Sequence, residues 1–217
     1  MINRVLLRIK IIQILYSFYK GNGNSVPAAE KELFHSIERT YDLYFHLLQL
    51  SIEITQYAAS RIESKRNKLR PSEEDLNPNT RFIDNSFIQQ LTTNTQFVDY
   101  LTNQKLSWVN HPDTIKQLYE ELIKTGFYAD YMNAATVDYA ADKDIWRKIY
   151  KKICLQSEEL DNSIEDQSIY WVDDLEIVIS FVIKTIKRFD QSAQENQSLL
   201  PMFKDQEDAD FARKLLR

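Results

Sequence analysis

Arg4 and Arg8 stand four residues apart near the start of the chain, and Lys10 follows closely. On a helix, positions i and i+4 are neighbours, so Arg4 and Arg8 share one face. Cations held on a rigid element suit contacts with the phosphates of a nucleic-acid backbone. The same side chains also suit a solvated rim, with their aliphatic stems lying along apolar neighbours. Ile2, Val5, Ile9, Ile12 and Tyr16 fall on another face, which is expected to bury into a core.

Two further basic clusters carry the same chemistry. Arg61, Lys65, Arg66, Lys68 and Arg70 include like-charge pairs at helical spacing. Such pairs repel by a few tenths of a kcal/mol (about 0.2–0.5), so they call for solvation or an anionic partner. Near a helix C-terminus they also complement the macrodipole. Arg147, Lys148, Lys151 and Lys152 surround Trp146 and Tyr150, a mixture suited to single-stranded RNA. Trp146, Ile149, Tyr150 and Ile153 equally form a buried stripe, and the pattern favours that core.

Catalytic and metal chemistry find little to build on. Glu32 and His35 have the E-x-x-H spacing of di-metal bundles, but such sites need the motif twice plus two further Glu. Glu158, Glu159, Asp161, Glu165 and Asp166 form an acidic run, most simply a solvated surface. No Gly-rich phosphate loop and no G-x-S-x-G occurs, and Cys154 has no His partner near in sequence. The expectation is a protein that is not an enzyme and needs no cofactor and no metal.

Composition limits what can position these groups. Among 217 residues, 43% are hydrophobic, enough for a packed core. Gly numbers only 3 and Pro 5, which disfavours sheets joined by tight turns. The formal net charge of -5 excludes a globally basic surface, so nucleic-acid binding needs a local patch or a basic partner. One Cys excludes an intrachain disulfide and fits a reducing cytoplasm. Arg8, Lys10 and Gln13 interrupt the apolar run that a signal peptide would need. A soluble, cytoplasmic protein is expected.

The elements read as helices throughout. The first runs over residues 2–20 and stops at the Gly-Asn-Gly-Asn turn of 21–24. Ser25 is a candidate N-cap with Pro27 in the first turn, and an unbroken helical rhythm spans 28–68. Residues 71–79 form a polar connector. Further helices are expected over 84–103, 111–124, from Asp142 or Asp144 to 155, 175–189 and 205–217, with a short one within 158–174.

Taken together, the opening helix resembles the N-terminus of the NusB family of bacterial transcription antitermination factors. The resemblance rests on Arg4, Arg8, Lys10, Gln13, Leu15 and Tyr16. The far end, from Asp208 through Phe211, Arg213, Leu215 and Leu216 to Arg217, resembles the helix that opens the family's second part. Segments 31–37, 75–84 and 165–171 are similar to the long form, which carries a helical insertion. The resemblance implies an N-terminal family helix over 1–24, an insertion over 25–204 and the start of the second part over 205–217. It also implies that the family's C-terminal part would follow Arg217, so a truncated product is expected.

The family's function follows from the same resemblance. It implies an all-helical, non-catalytic protein that binds boxA-type single-stranded RNA together with the ribosomal protein NusE. Through that complex it acts indirectly on the RNA polymerase elongation complex. Arg4, Arg8 and Lys10 are then the expected RNA contacts, while Tyr16 is expected in the core. An alternative is a helical interaction scaffold without RNA binding, using exposed aromatics such as Tyr128 and Tyr131. A NusB-like domain also fronts some RNA methyltransferases, but those need an α/β domain for which this chain has no strands or Gly-rich loop.

Overall fold

The computed structural model describes residues 1–20, 25–205 and 207–216, and these form an all-α protein with a long second helix. The turn expected at 21–24 lies outside the described residues. Among those described, the only β feature is an isolated parallel bridge between Ile2 and Phe203. The helices are α1 (Arg4–Lys20), α2 (Val26–Arg66), α3 (Glu73–Leu76), α4 (Ser86–Thr93), α5 (Thr95–Gln104) and α6 (Pro112–Leu122). They continue with α7 (Gly126–Asn133), α8 (Tyr139–Lys152), α9 (Glu158–Gln167), α10 (Leu175–Arg188) and α11 (Asp208–Leu216). No described helix is long and apolar enough to cross a membrane.

Two compact units are present. One comprises Met1–Leu43 and Leu200–Arg217, the other Tyr44–Leu199. Both divisions fall inside the stretch 25–204, and the first lies within α2, which runs through residue 43 without interruption.

The larger unit is organised by its share of α2. Tyr44, Phe45, His46, Leu47 and Leu48 are all buried. Five successive residues cover the whole circumference of a helix with 3.6 residues per turn, so this stretch is enclosed on every side. Polar groups from three other elements close on it. Trp108 Nε1 donates to the His46 carbonyl at 2.9 Å, the Tyr150 hydroxyl of α8 donates to the Leu47 carbonyl, and Tyr44 shares a 2.7 Å hydroxyl bond with Thr185 of α10.

Side-chain caps explain the differences from the expected boundaries. The helix expected over 84–103 is two helices, because Asn94 ends α4 and caps α5. Its Oδ1 accepts from Phe97 N at 3.0 Å while its Nδ2 donates to the carbonyls of Glu195 and Gln197. The polar connector contains α3, nucleated by a capping box between Ser72 and Asp75. Asp138, rather than Asp142 or Asp144, caps α8, its carboxylate accepting from Ala141 N at 2.8 Å.

Asp142 lies instead inside a buried polar network. Its carboxylate accepts from the Tyr131 hydroxyl at 2.6 Å and from Ser86 N at 2.8 Å. Asn85 donates to the Tyr131 hydroxyl and to the Asp142 carbonyl, both at 3.1 Å. Burial and the Asp142 carboxylate raise the Tyr131 hydroxyl well above its ordinary pKa, so it remains a proton donor. This overturns the expectation that Tyr131 is exposed: it is buried, and Tyr128 is half-buried. Asp142→Asn removes the charge from two charge-assisted bonds and is expected to cost about 2 kcal/mol. Urea denaturation monitored by circular dichroism checks this, and an unchanged midpoint would show that the network adds no stability.

Candidate nucleic-acid interface

The cations of α1 are positioned by the chain's two ends within the smaller unit. Asn3 starts the helix, its side-chain oxygen accepting from Val5 N and Leu6 N at 3.0 Å each. Ahead of it, Ile2 N donates to the Met202 carbonyl at 2.7 Å and Lys204 N donates to the Ile2 carbonyl at 3.0 Å. The terminal ammonium of Met1 donates to the Pro201 carbonyl. These bonds bring α11 alongside α1.

Arg4 and Arg8 then converge on α11. Arg4 Nε donates to Asp208 Oδ1 at 3.3 Å, and Asp208 itself is fully buried. The Arg4 guanidinium lies 4.9 Å from the Phe211 ring centroid and that of Arg8 lies 5.7 Å from it. One aromatic ring thus holds both guanidinium groups by cation–π attraction. The Arg4 side chain remains 53% exposed, and Arg8 is exposed. Asp208 and Phe211 have i, i+3 spacing on α11, which places both on one face of that helix.

Lys10 lies elsewhere. It is 3% exposed, on the inward side of α1 with Leu6, Leu7 and Ile11. The face expected to bury is the outward one: Val5, Ile9, Ile12 and Tyr16 are exposed, and of the expected set Ile2 alone is buried. The physical reason is that α1 has two opposed apolar stripes. Leu6, Leu7, Ile11, Ile14 and Phe18 form the second, and hydrophobic periodicity ranks neither above the other. Gln13 is half-buried, and Lys20 lies 4.6 Å above the exposed Tyr16 ring.

The other clusters separate cleanly. In the larger unit, Arg61, Lys65, Arg66, Lys68 and Arg70 are all exposed around the end of α2, with Lys68 Nζ 3.0 Å from Asp75 Oδ2. On α8, Arg147 and Lys148 both pair with Asp144, at 3.1 and 2.9 Å, while Trp146, Ile149, Tyr150 and Ile153 are buried. The core reading of that stripe is the one the structure adopts. Glu158, Glu159 and Asp161 occupy the first turn of α9, where carboxylates complement the helix dipole. Glu32 and His35 are exposed, and among the described residues no group of three His, Cys, Asp or Glu side chains can hold a metal ion.

No family model, no curated protein and no solved structure matches this chain.

Cys154 is buried, and desolvation pushes its thiol up to about 12. Because the pKa is raised, the thiol stays protonated from neutral pH through pH 9 and lacks the thiolate needed for attack. A disulfide reagent such as dithionitrobenzoate at pH 8 is expected to react slowly with the native chain and with one equivalent after denaturation. Fast labelling of the native protein would contradict this placement.

Proposed function

We propose that this chain is a non-catalytic RNA-binding factor of the NusB type, acting in the cytoplasm on boxA-type single-stranded RNA together with NusE. Through that complex it would help the RNA polymerase elongation complex resist termination. One observation carries the reading. The two segments that resemble the family, the start of α1 and α11, pack on each other and hold Arg4 and Arg8 as an exposed pair on Phe211.

The electrostatics are consistent with a shared site. Phosphate contacts supply most of the affinity and the salt dependence of such complexes. A chain of net charge -5 offers only a local cationic patch, so a basic partner would supply the remaining contacts. Lys10, turned inward, leaves the phosphate contacts to Arg4 and Arg8. Sequence preference would come from unstacked bases, read by their edges and by stacking.

Fluorescence anisotropy of labelled boxA-type RNA with NusE, over a salt series, tests the reading. For single strands each lost phosphate contact lowers the log–log salt slope by about 0.7, so Arg4→Ala with Arg8→Ala is expected to lower it by about 1.4. Arg8→Ala alone, which breaks no ion pair among the described residues, is expected to lower it by about 0.7. Unchanged affinity and slope in both variants, or no RNA binding by the wild-type chain, would overturn it.

A further inference from the structure

α1 presents one of its two apolar stripes to solvent. Val5, Ile9, Ile12, Tyr16 and Tyr19 are 59%, 43%, 65%, 61% and 83% exposed. Their spacings alternate between four and three residues, which is the a/d rhythm of a coiled-coil seam. At 1.5 Å per residue the stripe is about 21 Å long, the length of four helical turns. A helix that is apolar on both sides is ordinarily buried on both, yet here only the side bearing Leu6, Leu7 and Ile11 is covered.

The charges beside the stripe narrow what can cover it. Arg8 follows one edge and Lys20 the other, and α1 contains no Asp or Glu at all. Pairing α1 with α1 of a second copy would therefore set cations against cations or neutral groups in every register. Flanking carboxylates would meet opposite charges instead, as at the e and g positions of matched coiled coils. The seam is also narrow, an arc of one residue column and its neighbour. That suits a helix better than a lipid surface, which takes a broad apolar face.

We infer that the outward face of α1 is a docking seam for an acidic amphipathic helix, one with apolar residues in heptad spacing and Glu or Asp on both flanks. The seam uses residues other than the Arg4 pair with Asp208, so it goes beyond RNA binding. Only Arg8 borders both surfaces, and an acidic helix seated on the seam would compete with a phosphate for it.

The test uses the whole chain without RNA. The probe is a fluorescein-labelled synthetic helix of three heptads with Leu at a and d and Glu at e and g. A control helix has the same seam with Lys at e and g. The Glu-flanked helix is expected to bind at least tenfold tighter than the Lys-flanked one. Ile9→Ser with Ile12→Ser is expected to weaken that binding at least tenfold while the thermal melt stays unchanged, since both side chains are solvent-exposed. Equal binding of the two peptides, no binding of either, or binding that survives the double substitution would overturn the inference. So would a self-associated chain that the same substitutions dissociate, or adsorption to phosphatidylserine vesicles in place of peptide binding. The double variant keeps Arg4 and Arg8, so its RNA affinity reports separately on the antitermination reading.

Discussion

Enclosure of the middle of α2 is the constraint on which the larger unit depends. A helix buried on every side has no solvent-facing stripe along which to slide or rotate. Its neighbours must therefore be fixed by shape and by specific polar contacts. The carbonyls of His46 and Leu47 accept side-chain donors from Trp108 and Tyr150 in addition to their place in the helix. Tyr44 does the same work toward α10 through Thr185. The His46 ring lies nearly parallel to Trp108 with centroids 4.1 Å apart, and Phe45 stacks on Tyr100 at 3.8 Å. Aromatic faces thus supply area where aliphatic packing would leave orientation undefined.

Short buried amides perform the corresponding task where helices are brief. Asn94 serves two helices and also holds the carbonyls of Glu195 and Gln197. Asn85 caps α4 through Ile88 N while donating to Tyr131 and Asp142. Each amide satisfies backbone groups that a helix end leaves unpaired and, in the same geometry, ties that end to a distant segment.

The smaller unit is held by a different device. The residues around Ile2 and Phe203 join backbone to backbone, and the buried Asp208 carboxylate receives both Arg4 Nε and Asp205 N. Arg213 extends the link, donating to Glu30 at 3.2 Å and to Asp210 at 2.8 Å with its guanidinium over Phe34. Two arginines facing one ring at the edge of an otherwise acidic protein concentrate positive potential where the chain as a whole has none to offer.

The sequence by itself determined the all-α class, the long second helix and the character of most clusters. Unbroken 3.6-residue periodicity and a lack of turn residues are local properties that few tertiary contexts override. For the same reason Trp146, Ile149, Tyr150 and Ile153 were legible as core, because a basic fringe on a strongly amphipathic helix leaves only one way to face. Tertiary structure alone decided the orientation of α1. With apolar stripes on opposite sides, periodicity is degenerate, and the choice fell to whichever stripe the rest of the smaller unit could cover. That choice turned Lys10 inward, left Tyr16 outside and set Arg4 and Arg8 over Phe211. The partnership of Arg4 with Asp208 spans 204 residues, a separation at which spacing carries no signal and only packing brings the two groups together.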